Sequence, residues 1–355
     1  MASIVYSPEY RTYSFGDDHA FSPLRVARTL ALLRELGHDI PLVAPAPASR
    51  AEVLSVHEDY YVARVEALSR GEEVEDAAHY GLGSTDNPIF PGMDLAARWL
   101  VGGTLTAARL VSERGERRVL QLGGGLHHAR RNAASGFCIY NDLAIAIEAL
   151  ANHGLWVAYL DVDVHHGDGV QQIFDGDRRV LTISLHESGH YLFPGTGHVH
   201  ELGSGLGRGL KLNVPLEPFT HGESYLEVLD RVVPPALEHF KPAVLVVQAG
   251  ADAHADDPLA DLLLTTRDYE AIFRRVLAWA DAYTRGRVLF TLGGGYSLRA
   301  APRVWTILAL LLHDLPIPER LQDPALPERQ DRAHITGRNR QTAERLLEMA
   351  SAYWF

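Results

Sequence analysis

The stretch Trp156-Val157-Ala158-Tyr159-Leu160-Asp161-Val162-Asp163-Val164-His165-His166-Gly167-Asp168-Gly169 begins as an apolar strand and ends in acids and imidazoles. Three Asp and two His fall within the eight positions from Asp161 to Asp168. A carboxylate withdrawn from water is costly unless a cation or hydrogen-bond donors compensate it. Asp161 and Asp163 alternate with Val162 and Val164, the pattern of a strand and not of a solvated loop. A divalent metal ion is the simplest compensation. Asp163 and His165 are two apart, so both side chains leave an extended chain on the same side.

Working outward, four more runs rich in β-branched and apolar residues read as strands: Arg118 to Leu122, Val180 to Leu185, Ala243 to Gln248 and Arg287 to Leu292. Helical periodicity marks Pro23 to Leu36, Ala51 to Ser69, Met93 to Arg114, Asn141 to His153 and Tyr225 to His239. It returns in Arg267 to Tyr283, Arg299 to His313 and Gln341 to Ala352. Continuous apolar strands alternating with helices indicate an α/β fold whose parallel sheet is covered on both faces. Each strand runs into unusual sequence at its C-terminal end. The first meets Gly123-Gly124-Gly125-Leu126-His127-His128, the third His186-Glu187, the fourth Gly250-Ala251-Asp252, and the last Gly293-Gly294-Gly295-Tyr296. Ligands bind beyond the carboxyl ends of such strands. The five ends therefore predict one sheet edge, one active site and a single domain over residues 1–355.

The chemistry expected at that edge follows from residue type. Asp252 is the best-placed third ligand for Asp163 and His165, although it also suits a helix N-cap. An Asp-His-Asp set leaves positions open for water and substrate. It suits Zn(II), and also Fe(II), Mn(II) or Co(II). His127 and His128 can act as general acid and base near neutral pH. Asp161 and Asp168 flank the ligands and can fix histidine tautomers. Tyr296 follows a flexible triple glycine and can donate its hydroxyl to an oxyanion. His198 and His200 have no acidic partner in sequence and read as a solvated loop. Gly203 to Gly209 precedes a strand-like run instead of opening a helix, which excludes a phosphate loop. Cys138 reads as a buried small residue.

Composition narrows the rest. The 355 residues are 46% hydrophobic, with a formal charge of −12, which argues against nucleic acid as a partner. One cysteine excludes an internal disulfide and a cysteine-based zinc site. The first seven residues lack the pattern of a secretory signal, and no apolar run approaches a membrane span. The expectation is a cytoplasmic protein with no membrane partner.

Taken in order, six motifs resemble the zinc-dependent histone deacetylase family of the arginase/deacetylase superfamily, and within it the prokaryotic acetoin-utilization type. They are Gly123 to His128; Gly136-Phe137-Cys138 with Asn141-Asp142; Asp161 to Gly169; Phe193 to Gly197; Gly250 to Asp252 with Asp257-Pro258; and Gly293 to Tyr296. The resemblance covers about residues 6–313 and leaves a helical extension from about 314 to 355. It implies an eight-stranded, mainly parallel sheet and a metal held by Asp163, His165 and Asp252. It pairs His127 with Asp161 and His128 with Asp168, His128 serving as base and then acid. It places Phe137 and Phe193 along a narrow channel, the Gly136 carbonyl on the substrate N–H, and Asp86 at the rim. It further implies a structural potassium ion at Asp161, Asp163, His165, Ser184 and Leu185.

The substrate expected from the resemblance is an acetylated lysine in a protein or peptide; the alternative is an acetylpolyamine or other small acetylated amine. Leu259 stands where polyamine-type enzymes can carry a glutamate, and an apolar residue there favours acetyl-lysine. Leu192 replaces a position that is often aromatic. A two-manganese ureohydrolase needs an Asp-x-His-x-Asp run, whereas here Gly167 follows His165-His166. A non-catalytic acyl-group sensor would not need every catalytic position filled.

Overall fold

The computed structural model describes residues 2–354. Its strands are β1 (Ala2–Val5), β2 (Leu42–Val43), β3 (Arg118–Gln121), β4 (Val157–Asp161), β5 (Val180–Glu187), β6 (Lys211–Leu216), β7 (Val244–Gln248) and β8 (Val288–Thr291). Its α-helices are α1 (Leu24–Glu35), α2 (Arg50–Val53), α3 (Asp59–Ser69), α4 (Met93–Ser112), α5 (Asp142–Asn152), α6 (Asp168–Ile173), α7 (Gly222–Phe240), α8 (Thr266–Tyr283), α9 (Ala300–Leu312) and α10 (Arg332–Ser351). The strands form one sheet in the order β2-β1-β3-β8-β7-β4-β5-β6, and every pairing is parallel.

The strands are apolar on both faces because each face meets helices. In β7, Leu245 and Val247 join one core with α7, α8 and α9, while Val244 and Val246 join the other with α4 and α5. Successive side chains of a strand point to opposite faces, so an unbroken apolar run is what a doubly covered sheet requires. Among the described residues no helix is long and apolar enough to cross a membrane.

Besides adding the short helix α6, the structure departs from the expected elements in four places. β1 and β2 are too short to carry a periodic signal, and they extend the sheet beyond β3. The expected helix Ala51 to Ser69 is two helices. A capping box of Ser49 and Glu52 starts α2. The chain then turns so that His57 Nε2 accepts the Asn141 N–H at 2.9 Å and Glu58 N donates to Arg131 O at 2.8 Å. The C-terminal helix starts at Arg332, not Gln341. Its first half buries Asn339, which bonds Glu217 N, Thr220 Oγ1 and Ser224 Oγ, and a buried amide hides the apolar stripe.

The fourth departure shapes the site. β4 ends at Asp161, not Val164, because carboxylates replace the ladder partners there. Asp163 N donates to Asp161 Oδ1 at 3.1 Å, Val164 N to Asp252 Oδ1 at 2.9 Å and His165 N to Asp163 Oδ1 at 3.0 Å. The strand end becomes a loop tied down by its own acids and by Asp252 from the neighbouring strand end.

Candidate active site

The metal-ligand candidates sit on two neighbouring strand ends. Asp163 and His165 follow β4, and Asp252 follows β7, its hydrogen-bonded neighbour. No helix begins after Asp252, so the helix-cap alternative does not hold. Ligand atoms of Asp163, His165 and Asp252 lie within 4.8 Å of one another, all three residues buried. His165 Nδ1 is 3.1 Å from both Asp163 Oδ1 and Asp252 Oδ2. The other Asp163 oxygen accepts from Gln248 Nε2 at 2.6 Å and Gly294 N at 2.8 Å. Burial, and then repulsion from Asp163, push the Asp252 carboxyl far above the usual carboxylate range. Two buried carboxylates facing one point are unstable together without a cation, so the donor set fits a divalent ion.

Two imidazoles stand beside this triad on the loop after β3. Their ring centroids are 3.9 Å apart. His127 Nδ1 donates to Asp161 Oδ2 at 2.7 Å, and His128 Nδ1 donates to Asp168 Oδ1 at 2.7 Å. Asp161 Oδ2 also accepts the Tyr159 hydroxyl at 2.6 Å. Both rings therefore point a protonated Nδ1 at a carboxylate, but they differ in charge. Burial works to lower His127, but Asp161 and Asp163 outweigh it and raise its pKa to about 9. Burial and the neighbouring His127 lower His128 to about 4, against the pull of Asp168. Neutral pH thus finds His128 able to accept a proton.

The loop itself is held from α5. Asp142 accepts the Gly125 N–H at 3.0 Å and the Leu126 N–H at 2.8 Å. Asn141 caps α5 through Ala144 N and donates to the carbonyls of His127 and Ala129.

Tyr296 enters from the loop after β8. Its N–H donates to Asp257 Oδ2 at 2.6 Å, and its ring meets Phe137 edge-on at 5.6 Å. Burial, then the charges of Asp252 and Asp163, push its hydroxyl well above the usual phenol value, so it stays a donor. Behind it Arg25 is buried, with Nη1 donating to Gly293 O at 3.0 Å and Gly295 O at 2.9 Å.

Aromatic rings wall the approach. Phe193, 43% exposed, stands 5.0 Å from the His128 ring and 6.3 Å from the His165 ring. Gly136 lies between His128 and Phe193, where any Cβ would clash with both rings. The Phe137 carbonyl accepts the Tyr13 hydroxyl at 2.7 Å, which anchors the opposite wall. Leu259 is 37% exposed and follows Asp257, whose Oδ1 accepts its N–H. Asp86 is exposed, and the His19 imidazole lies against its backbone and edge-on to Phe137 at 4.7 Å. Asp161 and Ser184 face each other across β4 and β5, with the Ser184 hydroxyl 2.8 Å from His186 Nδ1 and Leu185 next in β5.

Several residues that shape this site have no role in the sequence reading: Arg25, Gln248, Asp257, Tyr159 and His19, and with them Tyr13, Asn141 and Asp142. Gln248 was open to the argument used for Asp161, a lone polar group ending an oily strand. His166 turns away from the triad toward Thr196 and Gln171. Cys138 is buried. The His198 ring stacks on His200 and lies tilted against His190, and its backbone N–H donates to Glu201 Oε1 at 3.0 Å, an acidic partner that the sequence reading did not give it.

Comparison with known proteins adds a family. The family described as "Histone deacetylase domain" matches residues 19–312. The chain is 40% identical to "Acetoin utilization protein AcuC" of Bacillus subtilis (strain 168), over 97% of this chain and 96% of that one. It is 41% identical to the protein of the same name in Staphylococcus aureus (strain MSSA476), over 88% and 82% of the two chains. The corresponding Staphylococcus xylosus protein is 37% identical over 92% and 85%.

Proposed function

The chain belongs to the histone deacetylase family, and on that premise we propose that it hydrolyses the acetyl amide of N-acetylated lysine side chains in proteins or peptides. Deacetylase chemistry follows from the family and from kinship with the acetoin utilization proteins. The finer reading rests on one observation. The buried Asp163–His165–Asp252 triad, the His127–His128 pair and the Tyr296 phenol converge at the foot of one aromatic-walled approach.

In this reading Asp163, His165 and Asp252 hold a divalent ion, zinc or iron. When bound, such an ion supplies a Lewis acid and an acidified water. The Tyr296 hydroxyl donates to the acetyl carbonyl oxygen as negative charge grows on it. His128 Nε2 takes the proton of the attacking water and returns it to the lysine nitrogen as the C–N bond breaks, giving acetate and free amine. Asp168 keeps the proton of neutral His128 on Nδ1, leaving Nε2 free to accept. Asp161 accepts the Nδ1 proton of His127, which holds a proton on both ring nitrogens and whose positive charge borders the developing oxyanion. Phe137 and Phe193 flank the aliphatic chain, the Gly136 carbonyl takes the substrate N–H, and Asp86 takes backbone amides at the rim. A potassium ion between Asp161, Asp163, His165, Ser184 and Leu185 would brace the β4 and β5 ends.

Leu259 favours a peptide over a polyamine, since it offers no carboxylate to a second ammonium. An acetate-release assay tests the reading, on protein stripped by chelation and refilled with zinc or iron. Acetyl-lysine peptides are expected to show the higher kcat/KM. A higher value for acetylputrescine would transfer the assignment to small amines, and no acetate from either would reject it.

The histidine roles carry a signed prediction. The acidic limb of kcat/KM should lie below the 6.5 of a free imidazole, because His128 must be neutral to act. His127→Asn removes a positive charge that depresses His128, so the limb should move to higher pH. An unmoved limb, or one moved to lower pH, would contradict the assignment of His128 as base.

A further inference from the structure

Asp323 lies beyond residue 312, where the family match ends, just after the short helical turn Glu319–Leu321. It is 8% exposed, and both its carboxylate oxygens are engaged. Oδ2 accepts from His254 Nε2 at 2.8 Å and from Thr266 N at 3.0 Å. Oδ1 accepts from Arg303 Nη1 at 2.7 Å. Its own N–H donates to Thr266 Oγ1 at 2.7 Å. One residue of the C-terminal segment thus joins the start of α8, the body of α9 and the loop after β7. Burial opposes its ionisation, but Thr266 N–H, Arg303 and His254 outweigh that and hold the carboxyl well below the usual range.

His254 is the informative partner. It stands two residues after Asp252, and its Nδ1 accepts the Asp256 N–H at 3.0 Å. Nδ1 therefore carries no proton, and Nε2 carries the one given to Asp323. The imidazole is pinned by its own turn on one edge and by Asp323 on the other. That turn also closes through Asp257 N to His254 O at 2.8 Å. One end of the turn is the ligand candidate Asp252. The other end is Asp257, which accepts the N–H groups of Tyr296 and Leu259.

We propose that Asp323 is a positioning residue of the active site. Through His254 it sets the turn from Asp252 to Asp257, and with it the approach of Asp252 to the metal and of Tyr296 to the substrate. The inference rests on the metal reading above. It makes the segment after residue 312 part of the working site, although the family match ends before it.

The test compares holoenzyme of wild type, Asp323→Ala, His254→Leu and His254→Gln. Readouts are melting temperature, metal dissociation constant by competition with a chromophoric chelator, the visible spectrum of cobalt-loaded protein, and kcat and KM. Asp323→Ala should bind metal roughly tenfold more weakly, at the low end of what outer partners of a metal ligand contribute. Its cobalt bands should shift, and kcat should fall with little change in KM. His254→Gln keeps an N–H for Asp323 and should retain more metal affinity than His254→Leu. A lower melting temperature with unchanged affinity and cobalt spectrum would reduce Asp323 to a structural tie and overturn the proposal. If Asp323→Ala does not fold, equal metal affinity in the two His254 variants overturns it instead. A wild type that binds no divalent ion at the triad overturns the metal reading as well; a wild type that binds, with variants that bind equally, overturns this inference alone.

Discussion

Tyr296→Phe is expected to lower kcat by about 10²–10³, the range seen when one oxyanion donor is removed, or roughly 3–4 kcal/mol of transition-state stabilisation. Little else should change. The Tyr296 backbone is held by Asp257, the preceding glycine carbonyls by Arg25, and the ring lies against Phe137. None of these contacts uses the hydroxyl, so a phenylalanine ring keeps its place. Metal content, melting temperature and KM should stay near wild type, because the hydroxyl matters when charge develops and not when substrate binds. Acetate release at the wild-type rate would remove Tyr296 from the mechanism.

The second large effect is expected from Asp252→Asn. It leaves the ion two strong ligands, so metal content after dialysis against a weak chelator should fall below about a tenth of wild type, and activity with it. The metal-free proteins should differ in the opposite sense. In wild type the Asp252 carboxyl is raised above its ordinary value by burial and by Asp163. An acid raised in the folded state favours folding while protonated and withdraws that support as it ionises. Metal-free wild type should therefore lose stability as pH rises from about 4 toward about 8. Asp252→Asn should lose less over the same interval, and refilling wild type with metal should flatten its slope. Denaturant midpoints across that interval would show it. A metal-free wild type whose stability is indifferent to pH there would mean that the two carboxylates do not compete.

The reach of sequence reading here has a physical boundary. Asp163, His165, Asp252 and Tyr296 were legible because parallel strands deliver their C-terminal ends to one edge, and polar residues at the end of oily strands stand out. The supporting residues were not, because each acts on a partner far away in sequence. Arg25 reaches a carbonyl 268 positions on, Gln248 a carboxylate 85 positions back, and Asp323 an imidazole 69 positions back. Inside its own helix Arg25 is one polar residue among many. The break between α2 and α3 was hidden for a related reason. The apolar rhythm runs through it, and what bends the chain is the bond that the Asn141 N–H donates to His57 Nε2.

The position of β8 in the sheet has a consequence for how the protein is made. β8 is the last strand in the chain, yet it lies between β3 and β7. Without it the strands fall into two separate blocks, β2-β1-β3 and β7-β4-β5-β6, with no pairing between them. Pairings so distant in sequence are slow to form. Until residue 291 has emerged, the two blocks can meet only through helix packing and through the histidine loop, His127 on Asp161 and His128 on Asp168, with no backbone ladder between them. The two histidines after β3 belong to the first block and the three ligand candidates to the second. The sheet edge that carries both sets of candidates therefore becomes continuous only when β8 is laid in, directly ahead of Tyr296.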